Sequence, residues 1–308
     1  MLYETLTEPL VALARATVDR LVDDWRARYG DVVIDVSITA ADPDRVRVAG
    51  YVLVPSQRDA LARALSGAFA ASGAGPDALQ LAVDSLTARA EPVAWAVPAY
   101  GRAAVRARPD AAADLATELV DGDPPARVLA YRGAWSAVEL ADRSVGWMAA
   151  DDMTAADAPG TVDAWRAAWA GRARGVPADD WQRAAAAWLH VPYVLGGNSR
   201  HGVDCSGLSQ RLYRAVLGIG LPKHSADQAR FGERVARSAL AAGDLLHLTH
   251  VERGTSHVAV VAESTPPRVV HASLEHGAVV IEPLDALLAR YVLRAARRFP
   301  PGSTAVCP

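Results

Sequence analysis

Apolar and small side chains at Leu6, Leu10, Leu13, Thr17, Leu21 and Trp25 recur three or four positions apart, with acids and arginines between them. That period predicts an amphipathic helix over the first 28 residues. The rhythm then changes to alternation over 31–38 (DVVIDVSI) and 45–54 (RVRVAGYVLV), separated by AADPD, which predicts a hairpin. Pro55 suits the first turn of a helix running to about Ala71 with Leu61, Leu65 and Phe69 on one face, and 78–86 (ALQLAVDSL) alternates again. Residues 1–91 thus read as an N-terminal helix plus a small α/β unit. They carry no chemical motif, so packing or partner contact is the better reading.

Short β-rich segments with turn residues between them fill 92–152 and predict a small β-barrel. The order of VRARPD, Gly122, ARVLAY, Gly133 with Trp135 and Val138, then Gly146 with Trp147, resembles a bacterial SH3 (SH3b) domain. Residues 153–178 read as a linker containing a helical segment with Trp165 and Trp169 and ending in GRARGVPADD. Asp179 or Asp180 can cap the helix WQRAAAAWLH, which must stop before Pro192 because proline disfavours helix in the residue before it.

In the last domain, 179–308, Leu208, Leu212, Ala215 and Val216 keep a helical period that begins at Cys205. LPKHSADQARFGERV is a turn with a short helix, and AAGDLLHL leads into a buried strand. SHVAVVAES and RVVHASL, joined by TPP, read as antiparallel neighbours, followed by GAVVIEPL and YVLRAARRF. Helices first and an antiparallel sheet after them make this domain α+β.

Composition narrows the partners. The chain has 308 residues, 51% of them hydrophobic, enough for two or three cores. A formal net charge of −3 offers no basic field for nucleic acid or an anionic membrane. The first residues lack a secretory pattern, and no window reaches the ~18 unbroken apolar residues of a membrane span, so the expected compartment is the cytoplasm. Two cysteines, Cys205 and Cys307, make no disulfide framework, and Cys307 lies in a terminal Pro/Gly/Ser/Thr tail.

Cys205 sits after a glycine-rich loop at the start of a helix, a position that favours a thiolate over an ordinary thiol with pKa ~8.5. Six of the eight histidines follow it. His257 and His271 lie on the two strands of the expected hairpin and share a face if the register permits, which sequence alone leaves open. In that arrangement His257 takes the proton of Cys205 and returns one to the leaving amine, while His271 orients the first ring. Bland readings stand beside these. Cys205 alone is an inert buried thiol, and the histidines are hydrogen-bonded core residues. Asp204 is a good helix N-cap and Ser206 an acceptable first-turn residue. Tyr193 packs under the loop, and His224 occupies a turn or cap. The absence of CxxC, HxxxH or HExxH speaks against a metal site, and no cofactor is expected.

Taken together, HVPYVLGG, GVDCSGLSQRLYRA, LPKHSADQA, AAGDLLHL, SHVAVV and VVHAS resemble, in order and spacing, the NlpC/P60 cysteine peptidases, over about Asp179 to Phe299. The resemblance implies a papain-like catalytic domain with Cys205 as nucleophile, His257 as base and His271 as the orienting residue. It implies that Tyr193, beside the cysteine, helps stabilise the oxyanion. It implies hydrolysis of murein-derived peptides at the bond between γ-D-glutamate and a diamino acid, diaminopimelate or lysine. Where SH3b domains precede such a domain, the barrel narrows the site so that a free N-terminal L-alanine is required. By that resemblance Asp204 and Ser206 receive the substrate ammonium, helped by a barrel acid, with Glu118, Asp121 and Asp123 as candidates. Cell-wall peptide recycling follows as the expected role. Leu195 in place of the usual tryptophan, His247 after GDL, and THVERGT before His257 depart from the family pattern. Two alternatives remain, an idle wall-peptide binding module and a papain-like amidase or acyltransferase on another substrate.

Overall fold

The computed structural model of the chain describes residues 7–29, 34–42, 44–88, 92–170 and 179–300. Pro43 of the expected turn, most of GRARGVPADD and the tail with Cys307 lie outside the described residues. The chain divides into two units, one of residues 1–93 with 129–131 and one of residues 94–128 with 132–308.

In the first unit, α1 (Thr7–Tyr29) and α2 (Pro55–Ala71) share a core with β1 (Ile34–Asp42), β2 (Arg45–Val52) and β3 (Leu79–Ser85). The hairpin pairs Ile34 with Val52, and β3 joins the other side of β2 in parallel, Val46 opposite Leu79, so α2 is the crossover. The buried stripe of α1 is Ala14, Val18, Val22 and Trp25, while Leu10, Leu13 and Leu21 are only partly covered. Ala14, Val18 and Val22 lie inward because their short side chains admit the close approach of α1 that the longer leucines flank. At α2, Pro55 occupies the first turn and Gln57 Oε1 accepts the N–H groups of Leu53 and Val54, satisfying donors at the helix entry.

The second unit opens with seven strands, β4 (Ala94–Pro98), β5 (Arg102–Arg106), β6 (Leu115–Val120), β7 (Ala126–Arg132), β8 (Trp135–Glu139), β9 (Val145–Ala149) and β10 (Met153–Ala156). They form one sheet in the order β10-β4-β7-β8-β9-β5-β6. The expected small β-barrel is not confirmed: among the described residues no pairing joins the end strands β10 and β6. Met153–Ala156, expected within a linker, is an edge strand with Met153 opposite Pro98. Four residues are too few to show a period, and the unpaired edge of β4 makes the strand. Next comes α3 (Val162–Ala167), capped by Thr161. Its Trp165 is fully buried, meets Trp95 edge to face and donates Nε1–H to the carbonyl of Pro125 at 2.7 Å.

The remaining elements are α4 (Asp179–Ala186), β11 (Asn198–Ser199), β12 (Gly202–Val203), α5 (Cys205–Leu217), α6 (Ser225–Gln228), β13 (Glu233–Arg234), β14 (Leu245–His250), β15 (Ser256–Ser264), β16 (Pro267–Ser273), β17 (Ala278–Pro283), α7 (Leu284–Leu288) and β18 (Tyr291–Arg298). An antiparallel sheet ordered β13-β18-β14-β15-β16-β17 is sandwiched between helices. One of its faces packs Val258, Val260, Val270 and Val279 against Trp181 and Ala185 of α4 and Leu208, Leu212 and Tyr213 of α5. The other packs Leu246, Leu248, Val261 and Val269 against Leu284 and Leu287 of α7. Each such side chain, fully buried, contributes about 1.5–3 kcal/mol, so α5 is held by its inner face rather than by intrinsic propensity. Gly218, with φ 69°, ends the helix in the left-handed conformation.

Candidate active site

The site is built where α5 meets the start of β15. Asp204 has extended backbone angles and caps α5. Its Oδ1 accepts the Gly207 N–H at 2.6 Å and the Ser206 hydroxyl at 2.9 Å, and its Oδ2 accepts the Gly196 N–H at 2.9 Å and the buried Lys223 ammonium at 2.7 Å. A carboxylate offers about four acceptor sites, and all are taken. One side chain therefore ties together the loop before the cysteine, the helix that carries it and the turn that follows. Glycine is required at two of these places. A Cβ at Gly207 would stand 2.4 Å from the Gly197 carbonyl. Gly196, at φ +79°, would place one 1.9 Å from the Leu115 carbonyl of β6.

Cys205 opens α5 and is partly buried. The backbone N–H groups of Val258 and Ser206 reach its sulfur, and Val258 adjoins His257. Burial and then the Asp204 anion push the thiol up to about 11, outweighing those two N–H groups and the Lys223 cation. The expected resting thiolate is thus replaced by a neutral thiol, because burial of the sulfur and then the anion of Asp204 outweigh the helix start.

His257 and His271 face each other across the β15–β16 pair. The register pairs Val260 with Val270 and Val261 with Val269, and continued outward it sets His257 opposite Ser273, with His271 diagonal on the same face. His257 Nε2 lies 2.9 Å from His271 Nδ1. Burial, then electrostatic coupling to His271, Arg290, His250 and Arg253, holds His257 well below its ordinary value. Burial also lowers His271, with Glu282 opposing. Both rings are neutral at pH 7. The Tyr291 ring stacks on His257 with centroids 4.9 Å apart and planes 30° from parallel, fixing the imidazole plane.

Tyr193 packs beside Cys205 on the same core, with its N–H bonded to the Gly277 carbonyl at 2.8 Å. Burial, then the Cys205 and Asp204 charges, push its phenol up to about 12, so it keeps its proton at neutral pH. Ser206 is buried and donates to Asp204.

Two of the three candidate acids, Glu118 and Asp123, are committed elsewhere. Glu118, 3% exposed, accepts the Asn198 N–H at 2.9 Å and the Arg102 guanidinium at 2.6 Å. Asp123 accepts Arg211 at 2.6 and 2.8 Å and is also paired with Arg214, both on α5. These two acids fasten the sheet to α5 and its preceding loop, and Asp121 is exposed. No group of three or more His, Cys, Asp or Glu side chains among the described residues is arranged to hold a metal ion. Nor is any described helix long and apolar enough to cross a membrane.

Sequence reasoning missed Lys223, Tyr291, Glu282 and Arg290. Lys223 lies inside a quoted motif, directly after the apolar run 219–222, and that was the available signal. The other three reach the site only through the tertiary fold and had none.

A thiol at a helix start, an imidazole on the adjoining strand and a second imidazole behind it are the parts of a thiol hydrolase. Residues 190–298 match the model of the NlpC/P60 family, and the chain carries a domain of that family. Over 93 residues it is 37% identical to a murein DD-endopeptidase MepS/murein LD-carboxypeptidase of Escherichia coli, covering 30% of this chain and 48% of that one. Over 108 residues it is 32% identical to a γ-D-glutamyl-L-lysine dipeptidyl-peptidase of Bacillus cereus, covering 35% and 32%. The chain spans half or less of the length of these curated relatives. A solved NlpC/P60 family protein from Bacillus cereus is 21% identical, with a TM-score of 0.38 over 94% of this chain and 90% of that one.

Proposed function

We propose that the chain is a cysteine endopeptidase that hydrolyses the γ-D-glutamyl bond to a diamino acid, diaminopimelate or lysine, in murein-derived peptides, as in cell-wall peptide recycling. The observation that carries this reading is the 2.9 Å bond from His257 Nε2 to His271 Nδ1, formed beside a cysteine whose sulfur meets the Val258 N–H. With Nε2 engaged, Nδ1 of His257 is the nitrogen left to take a proton. Cys205 transfers its S–H proton there as sulfur attacks the peptide carbonyl, and the Tyr193 hydroxyl donates to the developing oxyanion. His257 then protonates the leaving amine, an acyl-thioester remains, and water activated by the same imidazole releases it. A neutral thiol beside a neutral imidazole suits this general-base route, which needs no preformed ion pair. The names of the relatives, murein endopeptidase and γ-D-glutamyl-L-lysine dipeptidyl-peptidase, support the substrate class.

Incubating the protein with L-Ala-γ-D-Glu-diaminopimelate should release L-Ala-γ-D-Glu, and Cys205→Ala should abolish the release with the fold intact. Undiminished turnover by that variant would sink the thiol mechanism. Recognition of a free amino terminus is the finer point. Asp204 has four donors and Glu118 two, so an ammonium group must displace Lys223 or Arg102 to reach either acid. This favours a second reading, in which N-acylated wall peptides are also cleaved. Equal cleavage of the N-acetylated tripeptide supports it, and cleavage of the free amine alone restores the gated site.

A further inference from the structure

His271 does not end the polar chain that begins at His257. Its Nε2 lies 2.7 Å from Glu282 Oε1, and the Arg290 guanidinium donates to the same oxygen. Glu282 stands opposite Val269 in the β16–β17 pair, and His271 opposite Val280, so carboxylate and imidazole are diagonal neighbours on one face. Arg290 comes from the turn after α7. Two donors from separate elements thus converge on one acceptor oxygen.

We propose that Glu282 is a positioning residue that sets the protonation pattern of both imidazoles and, through them, directs His257 at the thiol. This rests on the reading of Cys205 as nucleophile and His257 as base. The argument is one of donors and acceptors. Burial raises the Glu282 carboxyl, but the hydrogen bonds and charges of His271 and Arg290 outweigh it and hold the group below the ordinary carboxylate range. Glu282 is therefore an anion at neutral pH, which accepts and never donates. His271 must carry its proton on Nε2 to meet it. Being neutral, His271 then has a lone pair on Nδ1, which must accept, so His257 carries its proton on Nε2. That leaves the lone pair of His257 on Nδ1, where the Cys205 proton is to arrive. Reversing the proton on either ring would put two donors or two lone pairs face to face across 2.9 Å. When His257 becomes an imidazolium during attack, the same anion, two hydrogen bonds away, stabilises its charge. Glu282 touches neither substrate nor sulfur.

The test uses the full chain labelled with 15N-histidine, together with Glu282→Gln and Glu282→Ala. Long-range 1H–15N correlations of the wild type should show both His257 and His271 protonated on Nε2. Glu282→Ala, which removes the acceptor, should mix the His271 tautomers, and Glu282→Gln, which keeps the shape and removes the charge, should shift them less. On the tripeptide, kcat should fall about tenfold for Gln and about a hundredfold for Ala, with KM within about twofold. Loss of the anion makes His257 harder to protonate, so the acid limb of kcat/KM should move to lower pH in both variants. A packing role would not move that limb. The inference is overturned by a wild-type His271 protonated on Nδ1, or by folded Gln and Ala variants with unaltered tautomers and pH profile. The NMR reading needs no turnover, so a wild type inert toward the tripeptide refutes the proposed substrate and leaves this result to be judged separately.

Discussion

Replacing Asp204 by asparagine should weaken the fold and wake the thiol at the same time. Asparagine is as good a helix cap as aspartate, so the change leaves α5 its start and removes a charge. It also sets an NH2 group where Oδ2 now accepts both the Gly196 N–H and the Lys223 ammonium. Asp204 and Lys223 are each 5% exposed, and removing one partner of a buried ion pair costs about 3–5 kcal/mol. Urea unfolding should show a loss of that order. The Asp204 anion is also, after burial, the main cause that raises the Cys205 thiol to about 11. Without it the Val258 and Ser206 N–H groups and Lys223 act unopposed, and each unit by which the thiol falls gives about tenfold more thiolate at pH 8. Iodoacetamide should therefore alkylate Cys205 about tenfold faster in Asp204→Asn, measured in a Cys307→Ser background. Lys223→Met is the counterpart. It breaks the same pair and also destabilises, but it removes a cation that lowers the thiol, so alkylation should slow. If both variants react faster, loosening of the loop rather than charge controls the thiol, and the electrostatic account is wrong. A stability change below about 1 kcal/mol in Asp204→Asn would equally refute the buried-pair argument.

The other tests concern pH and close packing. Burial and the Arg297 charge lower His247 to about 4, and its Nε2 is buried with no hydrogen-bond partner among the described residues. A histidine depressed in this way adds stability above its unfolded value of ~6.5 that is lost as pH falls toward 4, about 3 kcal/mol by linkage. His247→Leu should therefore gain about that much on the wild type between pH 7 and pH 4 in urea titrations, and parallel curves would contradict it. Gly196→Ala combines a left-handed backbone with a Cβ 1.9 Å from the Leu115 carbonyl, so it should destabilise by more than about 2 kcal/mol and depress turnover by moving Tyr193. Wild-type stability in that variant would mean that β6 and the loop do not approach so closely.

Local rules alone determined several parts of this protein. Pro55 opening α2, Asp204 before α5 and Gly218 after it are caps, and a cap is decided by a few neighbouring residues. The apolar periods likewise marked which faces of α2 and α5 turn inward. Questions of partnership had no local answer. Asp204 finds Lys223 nineteen positions on, and Glu118 finds Asn198 eighty positions on, so acids that look available to a ligand in the sequence are already neutralised in the fold. His257 and His271 could be assigned to neighbouring strands, but their diagonal meeting depends on a register that a one-residue slip would invert. The edge strand Met153–Ala156 and the open order of the seven-stranded sheet came from backbone pairing, which side-chain patterns record only weakly. The thiol itself shows the division most clearly. A helix start predicts a lowered Cys205, yet burial and the anion next to it win, because desolvation depends on everything packed around the sulfur and only the tertiary structure supplies that.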